Sequence, residues 1–146
     1  MSDAVNISKQ HPEAYQAQIA LDAAAGKAAV DAGLDPLLVE LVKIRVSQMN
    51  GCAFCLRLHT RDALAKGETA DRLAVVAAWW ESQYFTPAER AALALAEQVT
   101  TLQVPEQRTW ADGSLTPEQE SAVQWLAISM NTWNRIAVMS HYPVGP

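Results

Sequence analysis

Apolar residues recur along most of the chain at intervals of three and four positions, which places them on one face of an α-helix. No stretch shows the sustained alternation of apolar and polar residues that is typical of a half-buried strand. Of the 146 residues, 50% are hydrophobic and 18% are charged, which suits a folded protein with a substantial core. We therefore predict an all-α fold, a single-domain bundle of about six helices over residues 1–146, with its core from about 12 to 140.

Start and stop signals divide this pattern into six predicted helices. Capping boxes at 86–89 and 116–119, each with proline at the first helical position, open the last two helices. The second helix is apolar on more than one side, so we expect it to lie at the centre of the fold. The segment 103–115 is predicted as a loop with at most a short helix, and the tail 141–146 as irregular. The predicted helices cover about 12–32, 37–49, 52–66, 70–84, 87–100 and 117–139.

The charge balance limits the classes of partner. The formal net charge is −5 and there is no basic cluster, which argues against binding to nucleic acid or to an anionic membrane surface. The start of the chain lacks a signal-peptide pattern, and the longest apolar run, 73–80, is far shorter than a membrane span. We expect a soluble, cytoplasmic protein, and nothing in the sequence calls for a cofactor.

The residues that carry chemistry are concentrated between Glu40 and His59. Cys52, Cys55 and His59 stand at offsets of three and four, so a helix would place all three on one face. Asn50-Gly51 just before them is a natural break between two helices. In a tight hairpin around Gly51, Glu40 would lie across from His59, because the two arms differ by three residues, or about 4.5 Å.

This arrangement suits an activated thiol. A free cysteine is mostly protonated at neutral pH, and both a helix N-terminus and a neighbouring imidazole favour the thiolate. The helix terminus favours Cys52, whereas His59, one turn from Cys55, favours Cys55. We choose Cys55 as the thiol that meets the oxidant, because a positioned base acts more specifically than a dipole. Cys52 would then resolve the sulfenic acid to a disulfide, while Glu40 orients His59.

Plainer interpretations exist for each part of this motif. The C-x-x-C alone could be two buried small hydrophobic residues, and His59 alone a surface residue. Glu40 alone would more simply pair with Lys43 or Arg45 on a solvated face. The hypothesis rests on the four residues together.

A zinc site and a thioredoxin-like domain are two further alternatives. The two cysteines and His59 supply three zinc ligands, but a structural site usually needs four, so His11, His141 or an acidic residue would have to complete it. We therefore predict no metal site. A thioredoxin-like C-x-x-C belongs beside a βαβ unit, and no strands are predicted here.

The run from Glu40 to His59 resembles the motif of AhpD-like alkylhydroperoxidases, a group within the carboxymuconolactone decarboxylase superfamily. The motif is a glutamate, eleven residues, C-x-x-C, three residues and a histidine, and every spacing matches. The later N-T-W-N-R-I at 131–136 also resembles the group, although Asn134 and Arg135 are more simply expected to make hydrogen bonds between helices or subunits. One departure is Phe54, which stands where the best-known members carry a second histidine.

The resemblance implies an all-α homotrimer or homohexamer with thiol peroxidase activity. It implies that Cys55 attacks the peroxide, that Cys52 resolves, and that Glu40 and His59 form a proton relay. It also implies a dithiol reductant, from a lipoyl-bearing or thioredoxin-like partner. Superfamily members that act as decarboxylases generally lack the cysteine pair.

Three functions therefore remain in order of preference. The first is a peroxidase that reduces hydrogen peroxide or organic hydroperoxides through a Cys52–Cys55 disulfide. The second is a lyase of the lactone decarboxylase type that uses Glu40 and His59 as acid and base. The third is a redox-sensing or scaffolding oligomer without catalytic activity.

Overall fold

A computed structural model describes residues 4–106 and 113–146, and within these ranges all regular structure is helical, as predicted. Seven α-helices and one 3-10 helix are present, rather than about six helices. In chain order they are α1 (Ile7–Gln10), α2 (Pro12–Asp31), α3 (Pro36–Asn50), α4 (Ala53–Ala65), α5 (Ala70–Ala74), the 3-10 helix (Val76–Glu81), α6 (Pro87–Thr101) and α7 (Pro117–Met139).

The predicted helix starts are confirmed by their capping contacts. The Thr86 and Thr116 hydroxyls accept hydrogen bonds from backbone N–H groups at 89 and 119, and both capping boxes are complete. The side chain of Asp35 accepts from the N–H of Leu37 and starts α3. These local contacts account for the close agreement between the predicted and observed starts of α3, α6 and α7.

Helix α3 lies at the centre of the bundle, as its apolar faces predict. It packs against α4, α6 and α7, and α7 also packs against α2. One face of α3 contributes Leu38, Val42 and Val46 to a core shared with α2, α6 and α7. Another face contributes Leu41 and Ile44 to a second core under the 3-10 helix. Because both faces are buried, the position of α3 is constrained from two sides.

The prediction of one helix over 70–84 is wrong. Helix α5 ends at Ala74, and a 3-10 helix follows with a non-helical residue at Ala78. Consecutive β-branched residues at 75 and 76 weaken the α-helix at this point. In the 3-10 helix Val76 and Trp79, three residues apart, share one face and are both buried. The tighter geometry therefore buries this pair and leaves Trp80 half exposed.

The two ends of the chain meet beside α7. Helix α1 was not predicted; the Ile7 N–H donates to Ser140 Oγ at 3.1 Å, and the Ser8 and Tyr142 hydroxyls are 2.6 Å apart. The tail is irregular, as predicted, but it is attached through these contacts. The short helix considered for 103–115 falls largely outside the described residues. Among the residues described, no helix combines the length and the apolar character that crossing a membrane requires.

Candidate functional site

The two cysteines lie at the hairpin between α3 and α4. Gly51 ends α3 in the left-handed conformation at φ 66°, where a side chain would be strained. Cys52 is the N-cap of α4, and its Sγ accepts a hydrogen bond from the Cys55 N–H at 3.2 Å. The two cysteines, whose Cα atoms are 5.3 Å apart, form a disulfide. The tight turn and the N-cap therefore bring both sulfurs together at the start of α4.

The hairpin brings Glu40 and His59 into contact, as the spacing predicted. His59 Nδ1 is 3.0 Å from Glu40 Oε2, and the Glu40 side chain is 3% exposed. The alternative of Glu40 paired with Lys43 or Arg45 on a solvated face is wrong, because the Glu40 side chain is buried. Arg45 instead forms an ion pair with Glu97 at 2.8 Å, and Lys43 acts on Glu40 only through a longer-range attraction. A buried carboxylate that accepts from Nδ1 leaves Nε2 of a neutral imidazole without a proton, and such a nitrogen can act as a base.

Lys66 completes this pair and was missed from the sequence. Its Nζ lies 2.6 Å from Glu40 Oε1. One carboxylate oxygen of Glu40 therefore contacts the Lys66 ammonium, and the other contacts the His59 imidazole. Lys66 follows His59 by seven residues, which places both on one face of α4, and this spacing could have indicated it. The contact ties the C-terminal end of α4 to the middle of α3.

These partners decide the charge of Glu40. Burial is the largest single influence and by itself would raise the pKa of Glu40. The hydrogen bonds from His59 and Lys66, together with electrostatic attraction to His59 and Lys43, outweigh it and lower the pKa of Glu40 from 4.5 to about 2. Glu40 is therefore a carboxylate at neutral pH.

Two donor sets could be considered for a metal ion. The zinc ligands considered from the sequence include Cys52 and Cys55, whose sulfurs are bonded to each other here. They could bind zinc only after the disulfide is reduced. Among the described residues, ligand atoms of Glu40, His59 and Asp62 also lie within 4.8 Å of one another. The ammonium of Lys66 already occupies one oxygen of Glu40, and its charge opposes a divalent cation at this position.

Cys55 and His59 open onto the same cavity, which has a volume of about 300 Å³. Its walls are mainly aromatic and aliphatic, with Lys43 and Asp22 as charged members. Small apolar cavities with a few polar groups are typical of small-molecule sites. The aromatic and aliphatic lining residues are Tyr15, Phe54, Leu58, Met130, Trp133, Ala137 and Tyr142.

Cys52 borders a second cavity, of about 310 Å³, which shares Phe54, Ala137 and Tyr142 with the first. These two rings border both cavities and make an edge-to-face contact, with centroids 5.2 Å apart. The two ends of the disulfide therefore face different spaces. No sequence pattern predicted that Tyr142 would line these cavities, because it lies in the irregular tail.

A buried amide network fixes α7 against the hairpin. Asn134, which is 1% exposed, donates to Ser47 Oγ at 3.1 Å and accepts from Asn50 Nδ2 at 2.9 Å. Asn50 Nδ2 also donates to Asn131 Oδ1 at 2.9 Å. Asn134 therefore makes contacts between helices, as expected, whereas Arg135 donates to Asn131 within α7.

The model of the carboxymuconolactone decarboxylase family matches residues 12–98, more than half of the chain's 146 residues and the whole of the hairpin. This chain belongs to the carboxymuconolactone decarboxylase family. Within that family it is AhpD-like in sequence motif and in fold. The fold is similar to the crystal structure of ATU0492 from Agrobacterium tumefaciens, with a TM-score of 0.86 and 29% identity over 99% of this chain and 100% of that one. ATU0492 is a protein of unknown function for which an AhpD role in antioxidant defence has been suggested.

Two relatives are also similar in sequence. The uncharacterized protein YdfG of Bacillus subtilis is 43% identical over 103 residues, which cover 68% of this chain and 70% of YdfG. The uncharacterized protein YnjA of Escherichia coli is 38% identical over 64 residues, which cover 44% of this chain and 35% of YnjA. The family and the fold thus favour antioxidant or decarboxylase chemistry in general terms.

Proposed function

We propose that this family member is a thiol peroxidase that reduces hydrogen peroxide or organic hydroperoxides through a Cys52–Cys55 disulfide. The observation that carries the proposal is the shared cavity: Cys55 and His59 both line it, and Cys55 forms a disulfide with Cys52. In a lyase that uses Glu40 and His59 as acid and base, the cysteine pair would be incidental. The presence of both cysteines therefore favours peroxidase over decarboxylase chemistry within the family.

In the first step Nε2 of His59 accepts the thiol proton of Cys55. The thiolate attacks one peroxide oxygen, the O–O bond breaks, and the departing alkoxide or hydroxide takes the proton back from His59. Cys55 is left as a sulfenic acid, and the peroxide is reduced to an alcohol or water. Glu40 holds Nδ1 of His59 at 3.0 Å, which fixes the ring and stabilises its protonated form.

In the second step the Cys52 sulfur attacks Sγ of Cys55 and expels water, which closes the disulfide. A dithiol donor then returns two electrons and two protons and restores both thiols. In this proposal the donor thiolate attacks Cys52, which borders the second cavity, and Cys55 leaves as a thiolate beside His59. By family resemblance the donor is a lipoyl-bearing or thioredoxin-like partner.

Phe54 makes the proposed relay shorter than that of the best-known members. Its ring packs edge-to-face against Tyr142 rather than supplying a second imidazole. Proton transfer therefore relies on His59 and Glu40 without a second histidine between the cysteines.

We further propose that the chain acts as one AhpD-like domain, that it assembles as a homotrimer or homohexamer, and that it works in the cytoplasm, where donor dithiols are kept reduced.

Intact mass after one equivalent of cumene hydroperoxide tests the proposal. The chain has two cysteines and four methionines, and a methionine sulfoxide also adds one oxygen, so a gain of one oxygen counts as a cysteine sulfenic acid only where dithiothreitol reverses it. Reduced wild-type protein should lose two hydrogens, and dithiothreitol should restore them. The Cys52→Ser variant should instead gain one oxygen atom, because the sulfenic acid forms but cannot be resolved. The Cys55→Ser variant should remain unchanged.

Other outcomes would redirect the assignment. If Cys55→Ser kept full peroxidase activity, the roles of the cysteines would be wrong. If the reduced thiols did not react with the peroxide, the peroxidase would be excluded and the lyase that uses Glu40 and His59 would be the next candidate. A disulfide that forms but is not turned over by any dithiol would favour a redox-sensing oligomer.

A further inference from the structure

Lys43 is a charged residue in the cavity for which the peroxidase cycle has no use. It lines the same space as Cys55 and His59 and is only partly buried. With the residues that the structure describes, its ammonium makes no hydrogen bond and no ion pair. It attracts the carboxylate of Glu40 from a longer distance. The two oxygens of Glu40 are occupied by His59 and Lys66.

The one carboxylate among the described lining residues is not paired with Lys43. Asp22 also borders the cavity, but its Oδ1 accepts from Ser129 Oγ at 2.9 Å and it forms no ion pair with Lys43. The rest of the lining is largely apolar and aromatic. A cation beside such walls attracts an anion more strongly than it would in water, because the surroundings screen the charge less.

We propose that Lys43 is an anion subsite, and that the cavity takes organic hydroperoxides that carry a carboxylate. This inference rests on the proposed peroxidase function. The apolar body of the substrate packs against the aromatic walls, its carboxylate pairs with the Lys43 ammonium, and its hydroperoxide group lies at Cys55. A volume of about 300 Å³ is at the small end for ligand sites, so the substrate is a single-ring or short-chain compound.

A matched pair of peroxides tests the charge preference. The probes are 4-(2-hydroperoxypropan-2-yl)benzoate and its methyl ester, which differ in charge but share the reacting group. We expect the reduced wild-type protein to be oxidised about tenfold faster by the acid at low concentration, as a charge-assisted contact implies. Within each variant the readout is the ratio of the acid rate to the ester rate: Lys43→Met should bring this ratio close to one, whereas Lys43→Arg should retain the preference for the acid.

Two further variants make the test specific. Asp22→Asn removes a negative charge from the cavity and keeps an oxygen that can accept from Ser129, so it should increase the preference for the acid. Lys27→Met removes an exposed lysine whose ion pair is with Asp31, and should leave the preference unchanged. Equal wild-type rates for acid and ester, or equal slowing of both by Lys43→Met, would overturn the subsite.

A binding measurement separates this inference from the peroxidase itself. Calorimetry with 4-isopropylbenzoate, which has no peroxide group, should show binding that Lys43→Met abolishes, while the uncharged 4-isopropylbenzamide should bind at least tenfold more weakly. If neither hydroperoxide oxidised the thiols but this binding pattern held, the peroxidase would fail and the subsite would stand. If the thiols were oxidised but the benzoate bound no better than the amide, the subsite would fail alone.

Discussion

The contact between Glu40 and its partners gives a prediction that does not depend on any catalytic activity. Glu40→Gln keeps the shape of the side chain and one oxygen acceptor but removes the negative charge. The Glu40 side chain is only 3% exposed and contacts His59 and Lys66, so water cannot replace the charged interactions that the substitution removes. We expect the substitution to lower the free energy of unfolding at neutral pH.

The magnitude follows from the pKa of Glu40, which is lowered from 4.5 to about 2 in the folded protein. At about 1.4 kcal/mol for each factor of ten in proton affinity, the difference corresponds to about 3 kcal/mol. Since the folded pKa is the lower one, the stabilisation is fully present above pH 4.5 and is lost as the pH falls towards 2. At pH 3 roughly half of it should remain.

Urea unfolding of the oxidised proteins, at one protein concentration and at pH 7 and pH 3, measures this effect. The stability difference between wild type and Glu40→Gln should be about 3 kcal/mol at pH 7 and about half of that at pH 3. Glu81→Gln, which changes an exposed carboxylate, should shift stability by less than about 0.5 kcal/mol at both values. A difference for Glu40→Gln that is the same at both pH values would refute the ionised, paired carboxylate.

Three further substitutions test two contacts at the hairpin and one cluster away from it, in which Arg72 of α5 forms ion pairs with Glu68 at 2.8 Å and with Glu89 of α6 at 2.7 Å. Lys66→Met should raise the pKa of Glu40, which carbon NMR can follow; an unchanged pKa would contradict the 2.6 Å contact. The free energy of unfolding should fall by less than about 1 kcal/mol, because the Lys66 side chain is 43% exposed. Asn134→Ala should cost about 2–3 kcal/mol in urea unfolding, because it leaves buried partners unsatisfied; a loss under about 0.5 kcal/mol would contradict the network. Arg72→Lys should lower the free energy of unfolding by about 2 kcal/mol in the same assay, because a single ammonium cannot pair with both Glu68 and Glu89. Unchanged stability would show that a point charge is sufficient at this position.

Much of the helical framework could be predicted because its signals are local. A capping hydroxyl, a proline at the first helical position and an apolar repeat are all contained in a few consecutive residues. The starts of α3, α6 and α7 follow from such signals. The region 70–84 could not be predicted in the same way. Its break into α5 and a 3-10 helix buries Val76 and Trp79 in a core supplied by distant helices.

The candidate site shows the same division. The approach of Glu40 to His59 could be predicted from the lengths of two hairpin arms, since both lie on adjacent helices joined by Gly51. The third partner, Lys66, carried only a spacing signal. The pairing of Arg45 with Glu97 on α6 carried none, because it joins residues 52 positions apart.

The sequence by itself determined the helical class, the hairpin around Gly51 and the set of Glu40, Cys52, Cys55 and His59, because each depends on residue spacing within one or two helices. The tertiary structure alone decided what surrounds that set. Apart from the hairpin itself, the cavity walls come from α2, α7 and the tail. The ionised state of Glu40 comes from the balance between its burial and its partners. Burial and the charges that accompany it depend on segments far apart in the chain, and no local pattern records how those segments pack.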